Sequence, residues 1–251
     1  MSTQKNDRVA VVTGGSRGLG RVIAHDFAKR GFDVVVASRK SDACQKVAAE
    51  ISEKYSVSAI GVACHVGHWP ECDELIDRTF GEFGRLDALV NNAGMSPLYP
   101  SLAEVSEELY DKVLAVNLRG PFRLSVRAAA AMQSNGGGQI VNISSIAAVV
   151  PKPEELPYAL AKSALNTLTV GLSRAYGPDV RVNAVMPGMF STDVALSWGD
   201  TVLERANDIP LGRVGEPNEI VGAVRYLTSE ESSYTTGAVI KVDGGMAWAP
   251  A

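Results

Sequence analysis

The feature that most constrains the fold is a glycine-rich turn that separates an apolar strand from a helix near the start of the chain. Residues 9–12 form a continuous apolar run of the kind found in strands that are buried on both faces. Thr13 to Gly20 then read Thr-Gly-Gly-Ser-Arg-Gly-Leu-Gly, and apolar residues at helical spacing follow. Glycines allow positive φ angles and let backbone N–H groups approach a pyrophosphate at a helix N-terminus. Strand, turn and helix in this order predict a nucleotide-binding unit.

Strand and helix patterns alternate along the whole chain. Strands are predicted near residues 9–13, 33–38, 57–63, 86–91, 139–144, 180–186 and 238–242, and helices near 18–30, 41–54, 71–83, 104–114, 118–134, 157–176 and 216–228. This alternation predicts an α/β fold, a doubly wound Rossmann sheet of seven parallel strands flanked by helices. No linker or repeat interrupts the 251 residues, so a single domain over residues 1–251 is predicted. Residues 189–215 break the alternation with scattered apolar side chains, and we predict that they form a substrate lid.

A second pattern places three polar side chains in the second half of the chain. Tyr158 and Lys162 are four residues apart on a predicted helix, so they share a face, and Ser145 lies thirteen residues before Tyr158. A free tyrosine has a pKa of about 10, and a fixed ammonium beside it would favour the phenolate. Lowering that pKa by ~3 units requires roughly 4 kcal/mol. The three residues predict a proton-transfer site for an alcohol or a carbonyl, although a Tyr-x-x-x-Lys pair alone is more often an ordinary surface face of a helix.

The end of the second predicted strand indicates which dinucleotide would bind. Enzymes that use NAD place an acidic residue there to hold the ribose 2′-hydroxyl. This chain instead has Ser38, Arg39 and Lys40, and Arg17 lies within the glycine-rich turn. Guanidinium groups match phosphate oxygens in a bidentate manner. The sequence therefore favours NADP(H) over NAD(H); the alternative is that Arg39 and Lys40 are ordinary solvated charges at the start of a helix.

Seven motifs in one order extend these patterns over nearly the whole chain. They are Thr13 to Gly20, Asn91-Asn-Ala-Gly94, Asn117, Ser145, Tyr158 with Lys162, Pro187-Gly188 with Thr192, and Val242-Asp-Gly-Gly245. Each motif in isolation has a structural explanation, such as a turn or a helix cap. In this order they make the chain resemble the short-chain dehydrogenase/reductase family.

The resemblance implies a role for each site residue. In carbonyl reduction Tyr158 would be the general acid and Ser145 would polarise the oxygen. Lys162 would lower the tyrosine pKa and bind the nicotinamide ribose, and Asn117 would kink a helix and hold a water of the proton relay. The segment around Asn92 would close one side of the adenosine site. The implied cofactor site comprises Gly14, Ser16, Arg17, Gly18, Leu19, Gly20, Ser38, Arg39, Lys40, His65, Val66, Asn92, Ala93, Gly94, Tyr158, Lys162, Pro187, Gly188, Phe190 and Thr192.

One position departs from the family's pattern. The family usually has an aspartate near the adenine amino group at the end of the third strand, where this chain has His65. A neutral imidazole can still donate to or accept from adenine, and the Cys-His-Val-Gly run at 64–67 is similar to that of NADP-dependent carbonyl and retinal reductases. The nearby His68 and Cys72 lack the ligand spacing of a tetrahedral metal site, so no metal is predicted.

Composition excludes several other functions. A net charge of −4 gives no basic field for nucleic acid or anionic lipid. Three cysteines imply no disulfide framework and are typical of a reducing cytoplasm. The polar first eight residues do not resemble a secretory signal, and no apolar run is long enough to cross a membrane. We therefore predict a cytoplasmic protein without nucleic-acid or membrane partners.

The resulting prediction is an NADP(H)-dependent oxidoreductase that moves a hydride between nicotinamide and an apolar ketone, aldehyde or secondary alcohol. An alternative is a 3-oxoacyl-carrier-protein or acyl-CoA reductase, which usually has basic residues where the acidic carrier docks. Here the corresponding turns, 133–138 and 176–179, contain no Lys or Arg. An alternative of another class is a catalytically silent nucleotide-binding regulator, although Ser145, Tyr158 and Lys162 are all retained.

Two predicted helices carry more apolar surface than one sheet can cover. Helices near 118–134 and 157–176 have apolar residues on more than one face, which marks a partner surface. In the resembling family these helices pair across a two-fold axis, and the C-terminal segment forms a second interface. The sequence therefore predicts a homotetramer, with a dimer as the alternative.

Overall fold

The predicted doubly wound sheet is confirmed. The computed structural model describes residues 8–192 and 209–248, and within them seven parallel strands lie in the order β3-β2-β1-β4-β5-β6-β7. The strands are β1 (Val9–Thr13), β2 (Asp33–Ser38), β3 (Ala59–Ala63), β4 (Ala88–Asn91), β5 (Gly138–Ile143), β6 (Val180–Pro187) and β7 (Val239–Val242). The helices are α1 (Gly18–Lys29), α2 (Ser41–Tyr55), α3 (Trp69–Phe83), α4 (Glu107–Leu114), α5 (Gly120–Gln133), α6 (Leu156–Tyr176) and α7 (Val221–Leu227).

The continuous apolar run of β1 is explained by a core on each face of the sheet. Ala10 and Val12 belong to one core together with Phe27 of α1. Val9 and Val11 point the other way, into a core that α3 and α5 complete. Successive side chains of a strand alternate between its two faces, so a strand covered on both sides is apolar throughout.

The order of the strands reverses between β1 and β4, which are hydrogen-bonded neighbours although two strands separate them in the chain. At such a switch point the loops after the two strands leave in opposite directions and open a crevice at the carboxyl edge. The glycine-rich turn follows β1 and the segment from Asn92 follows β4. The fold therefore brings these two motifs together at one edge.

Three predicted helices are present but differ in detail from the prediction. The helix expected from residue 104 begins at Glu107, because the Ser106 side chain accepts a hydrogen bond from the Leu109 N–H group at 3.2 Å and caps it. The helix expected from residue 118 is preceded by a π-helical turn over Ala115–Arg119 that joins α4 to α5. The helix expected over 216–228 divides into a 3₁₀ turn, Pro217–Ile220, and α7.

Both described ends of the predicted lid are tied together. The Gly215 N–H donates to the Met189 carbonyl at 2.9 Å, and the Ser191 N–H donates to the Gly215 carbonyl at 2.8 Å. These bonds place the two ends of the excursion side by side at the carboxyl end of β6. Residues 193–208, the middle of that predicted lid, lie outside the described residues.

Candidate active site

The glycine-rich turn forms a cradle that only glycine can build. Gly14 has a φ of +63°, a conformation that strains side chains with a Cβ. A Cβ on Gly20 would lie 2.3 Å from the Gly14 carbonyl oxygen and 2.4 Å from Asn92 Nδ2. α1 begins at Gly18 with no acidic residue in its first turn, so nothing there opposes an anion at the N-terminus. These features fit the pyrophosphate of a dinucleotide.

Three further residues complete the cradle. Ser16 is half-buried, Arg17 directly precedes α1 and is exposed, and the half-buried Leu19 packs against the core. The loop also reaches β2, because the Gly15 N–H donates to the Ala37 carbonyl at 3.2 Å. The cradle and the end of β2 therefore form one continuous edge.

Thr13 locks the segment after β4 against this cradle. Its hydroxyl accepts from the Asn92 N–H at 3.0 Å and the Ala93 N–H at 3.1 Å, and it donates to the Val90 carbonyl. The Asn92 amide in turn donates to the Thr13 carbonyl at 2.9 Å. The sequence analysis named Thr13 only as the first residue of the glycine-rich motif. The feature that could have indicated its contacts with Asn92 and Ala93 is a small hydroxyl-bearing residue at the end of an apolar strand.

Gly94 connects the cradle with the proposed proton-transfer group. A Cβ on Gly94 would lie 2.9 Å from Asn117 Oδ1 and 3.7 Å from Lys162 Nζ. The segment from Asn92 to Gly94 therefore runs from the glycine cradle to Asn117 and Lys162.

The basic residues after β2 lie at the same edge. Ser38 is half-buried, with its Oγ 3.0 Å from Cys44 Sγ, while Arg39 and Lys40 are exposed at the start of α2. No carboxylate stands at the end of β2. Two exposed cations there, with Arg17 across the loop, form an electropositive rim.

His65 is held as a neutral hydrogen-bond donor beside this rim. Its Nδ1 accepts from the Gly67 N–H at 3.2 Å, so the proton of the neutral ring is on Nε2. The ring stacks on His68 with centroids 4.3 Å apart, and burial, followed by the His68 charge, lowers the pKa of His65. Glu71, which sequence reasoning missed, accepts from the His65 N–H at 2.7 Å and holds His68. The adjacent Val66 is buried in the core.

Lys162 and Tyr158 meet at the start of α6. Lys162 is only 3% exposed; its Nζ donates to the Ile143 carbonyl at 2.7 Å and lies 5.5 Å from the centre of the Tyr158 ring. Burial lowers the pKa of Lys162 to about 8. Burial raises the pKa of Tyr158 to about 12, the nearby Glu155 charge adds to this, and a hydrogen bond from Ser145 acts in the opposite direction.

The predicted depression of the Tyr158 pKa is therefore not produced by the protein's own groups. Loss of solvation outweighs the stabilisation of the phenolate by the Ser145 hydrogen bond, and the Glu155 charge opposes that stabilisation as well. Tyr158 is a neutral phenol at physiological pH, a proton donor rather than a base.

Asn117 lies within the π-helical turn that joins α4 to α5. Its Nδ2 donates to the Met95 carbonyl at 2.8 Å and the Val113 carbonyl at 2.9 Å, and its Oδ1 accepts from the Met95 N–H at 3.2 Å. Both amide protons are used, and the side chain ties the helix to the loop after β4. A π-turn frequently marks a functional site, because it re-aims one residue inside a helix.

The nicotinamide-side residues follow β6. Pro187 is buried at the strand's end, and a Cβ on Gly188 would lie 2.8 Å from Asp243 Cα, so this strand and β7 approach closely. Phe190 is buried and bridges to Gly215. A Cβ on Gly18 would lie 3.8 Å from the Thr192 methyl carbon, which places Thr192 across from the start of α1.

Comparison with known proteins decides the family. Residues 14–247 match a family profile described as enoyl-(acyl carrier protein) reductase. Dehydrogenase/reductase SDR family member 4 from Pongo abelii is 36% identical over 243 residues, 95% of this chain and 87% of the relative. The chain belongs to the short-chain dehydrogenase/reductase family. Its members are oxidoreductases that act on CH–OH or C=O groups with a nicotinamide cofactor.

Other short-chain dehydrogenases/reductases match over similar lengths. An L-rhamnose 1-dehydrogenase (NAD(P)(+)) from Azotobacter vinelandii is 35% identical over 248 residues, 96% of each chain. A solved short-chain type dehydrogenase/reductase from Mycobacterium marinum has a TM-score of 0.91 at 33% identity, with 97% of both chains covered. An NADPH-dependent 3-quinuclidinone reductase from Rhodotorula rubra has a TM-score of 0.90 at 28% identity, with 97% of this chain and 92% of that chain covered.

A buried amide network supports α6, which carries Tyr158 and Lys162, in this short-chain dehydrogenase/reductase. Asn91 Nδ2 donates to Asn142 Oδ1 at 2.8 Å and to Ser125 Oγ at 2.9 Å. Asn142 Nδ2 donates to Thr169 Oγ1 at 2.9 Å, so β4 and β5 are joined to α5 and α6. Sequence reasoning missed Asn142; an amide in the middle of the apolar β5 was the signal.

Two further findings concern membrane-spanning helices and metal sites. Within residues 8–192 and 209–248, no helix is long and apolar enough to cross a membrane. In the same part of the chain no group of three or more His, Cys, Asp or Glu side chains is arranged to hold a metal ion.

Proposed function

We propose that this enzyme is an NADP(H)-dependent reductase or dehydrogenase of small apolar ketones, aldehydes or secondary alcohols. The proposal rests on one observation. Tyr158, Ser145 and Lys162 lie together, and Gly94, in the segment that contacts the glycine cradle, lies next to Lys162. A bound nicotinamide would supply or accept the hydride. The protein's own side chains would supply the proton transfer and the polarisation of the substrate oxygen.

The roles follow from protonation and geometry. The neutral Tyr158 donates its proton to the carbonyl oxygen, and Ser145, which hydrogen-bonds with Tyr158, polarises the same oxygen. Lys162 lies close enough to stabilise the phenolate that remains. Asn117 holds the turn next to Lys162 and Gly94 in place. In the oxidative direction the same groups act in reverse.

The proposed cofactor site uses the cradle for the pyrophosphate and the rim for the 2′-phosphate. Arg17, Arg39 and Lys40 supply cations where an NAD enzyme would need a carboxylate, which supports NADP(H). Solved and curated relatives include an NADPH-dependent reductase and an NAD(P) dehydrogenase, which is compatible with that choice. His65 Nε2–H is proposed to face adenine, and Pro187 to Thr192 are proposed to flank the nicotinamide.

A carrier-protein substrate is the second candidate, because the matching family profile is described as an enoyl-(acyl carrier protein) reductase. An acidic carrier needs basic docking residues. At the turn after α6, Asp179 is exposed and accepts a hydrogen bond from Gln133. This carboxylate would repel the carrier, so a free small molecule or a CoA thioester is favoured.

A homotetramer of single-domain chains is also proposed. Phe122 on α5 is 40% exposed, and Leu160 and Val170 on α6 are 49% and 38% exposed. These large apolar side chains lie on the two helices for which the sequence predicted a partner surface.

The decisive experiment is a substrate panel. Purified protein is assayed for oxidation of NADPH and of NADH with ketones, aldehydes, acetoacetyl-CoA and acetoacetyl-carrier protein. NADPH-dependent reduction of small carbonyls, lost in Tyr158→Phe and retained in Tyr234→Phe at a fully exposed tyrosine, supports the proposal. Activity restricted to the carrier thioester would favour the second candidate.

A further inference from the structure

His65 follows β3, and its imidazole is held in one orientation by three separate contacts. Its Nδ1 accepts a hydrogen bond from the Gly67 N–H at 3.2 Å. The His68 ring covers one face of the imidazole, with centroids 4.3 Å apart and an angle of 19° between the planes. The Glu71 carboxylate accepts from the His65 N–H at 2.7 Å and so fixes the backbone that carries the ring.

The close approach of Gly67 to the imidazole depends on the absence of a side chain. A Cβ on Gly67 would lie 3.0 Å from His65 Cε1, 3.1 Å from Nδ1 and 3.4 Å from Ala115 Cβ. The first two distances are shorter than an ordinary van der Waals contact of about 3.5–4.0 Å. A side chain here would push the ring away from the N–H group that it accepts from. The sequence at 65–67 therefore builds the orientation of the ring.

This orientation makes the other ring nitrogen of His65 a donor. A neutral imidazole carries one proton, and because Nδ1 accepts, that proton is on Nε2. Burial, followed by the His68 charge, lowers the pKa of His65, so the ring is neutral at physiological pH. Within residues 8–192 and 209–248, no group accepts a hydrogen bond from Nε2, and the side chain is only half-buried. The Nε2–H group is thus available to a ligand.

The neighbouring carboxylate is already engaged. Glu71 uses Oε2 for the His65 N–H and Oε1 for His68 Nδ1, each at 2.7 Å. At the end of β2 the neighbouring charged side chain is the cation Arg39, and no carboxylate stands there. A purine base placed against His65 therefore meets a hydrogen-bond donor, where an aspartate would offer an acceptor.

We propose that His65 changes the purine selectivity of the dinucleotide site, so that cofactors with an oxygen at C6 of the base bind at least as well as adenine cofactors. The inference rests on the proposed function, which directs the Nε2–H group toward the base. Adenine has an amino donor at C6, whereas hypoxanthine has an oxygen acceptor there. Two donors that face each other both stay unpaired, while the N–H group can bond to the oxygen.

The test compares NADPH with reduced nicotinamide hypoxanthine dinucleotide phosphate. The two differ in the group at C6 and the proton on N1 of the base, and the same nicotinamide fluorescence reports the binding of both. His65→Asp replaces the donor by an acceptor. His68→Phe is the matched control, because it keeps an aromatic ring over His65 and removes the second imidazole. Titration at about pH 8 keeps His65 neutral.

Wild-type protein is expected to bind the hypoxanthine form within about twofold of NADPH, or more tightly. The preference should move toward NADPH by about tenfold or more in His65→Asp and stay within about twofold of wild type in His68→Phe. A wild-type preference for NADPH of more than about twofold, or a preference that His65→Asp leaves unchanged, overturns the inference. So does a shift in His68→Phe as large as that in His65→Asp.

The titration requires no turnover, so it separates this inference from the proposed function. If both dinucleotides bind but no carbonyl compound is reduced, the proposed function is in error and the base preference is still decided. If carbonyl compounds are reduced with NADPH, and NADPH binds clearly more tightly than the hypoxanthine form, the inference alone fails. A protein that binds neither dinucleotide refutes both.

Discussion

The Lys162 ammonium lies 5.5 Å from the centre of the Tyr158 ring and donates to the Ile143 carbonyl at 2.7 Å. Burial disfavours the charged form of both side chains: it lowers the pKa of Lys162 to about 8 and raises that of Tyr158 to about 12. At neutral pH Tyr158 is thus a neutral phenol while Lys162 still carries its proton, and proton transfer from Tyr158 creates a negative charge that Lys162 can stabilise.

Tyr158→Phe should lower turnover by roughly 10²-fold or more, because it retains the ring and removes the proton. NADPH binding, followed by fluorescence titration, should stay close to that of the wild type. Turnover within about threefold of wild type would mean that another group is the acid.

Changing the basic rim should change cofactor choice. Ser38→Asp combined with Arg39→Leu places a carboxylate where the ribose 2′-hydroxyl is proposed to lie and removes a phosphate partner. We expect weaker NADPH binding and improved use of NADH in direct titrations. Wild-type protein that binds NADH as tightly as NADPH would contradict the assignment.

Gly20→Ala should disrupt the cradle. Its Cβ would lie 2.3 Å from the Gly14 carbonyl oxygen, so the turn must move, and overpacking of this kind costs about 1–3 kcal/mol of stability. The affinity for the dinucleotide should fall together with the stability. The control is Gly81→Ala on α3, whose Cβ meets no atom within 4 Å and which should raise helix stability. Equal affinities in the two variants would show that the close approach is unimportant.

Lys162 should give stability a specific pH dependence. Its pKa falls from 10.5 to about 8 on folding, so the unfolded chain binds more protons between these values, and stability due to this group rises with pH through that window. Relative to Lys162→Met, the wild type should gain on the order of 2 kcal/mol between pH 7.5 and 9.5 in urea unfolding. Parallel pH profiles of the two proteins would show that the buried lysine is not destabilised.

Light scattering at micromolar concentration should give four times the chain mass of 26.5 kDa. Leu160→Glu should weaken assembly, because it places a charge on the exposed apolar surface of α6. A fully active monomer would refute the tetramer.

Short-range patterns in the sequence were sufficient for the architecture. β1, the cradle and the helix after it depend on neighbours within a few residues, and the alternation of elements restricts their connection to a doubly wound sheet. Tyr158 and Lys162 were paired in the same way, because a helical spacing of four is a local property. Helix boundaries were less certain, since the Ser106 cap and the π-turn at Asn117 decide them.

Only the tertiary structure decided the electrostatics and the polar contacts between distant segments. The chain predicted a lowered Tyr158 pKa from the charge of one neighbour; the folded protein raises it, because desolvation depends on everything that surrounds the phenol. Likewise, Asn142 meets Thr169, and Tyr99 holds the turn that ends at Glu155, only when separate elements pack together. Local spacing determines which side chains share an element, whereas burial and long-range contacts determine the charge each one carries.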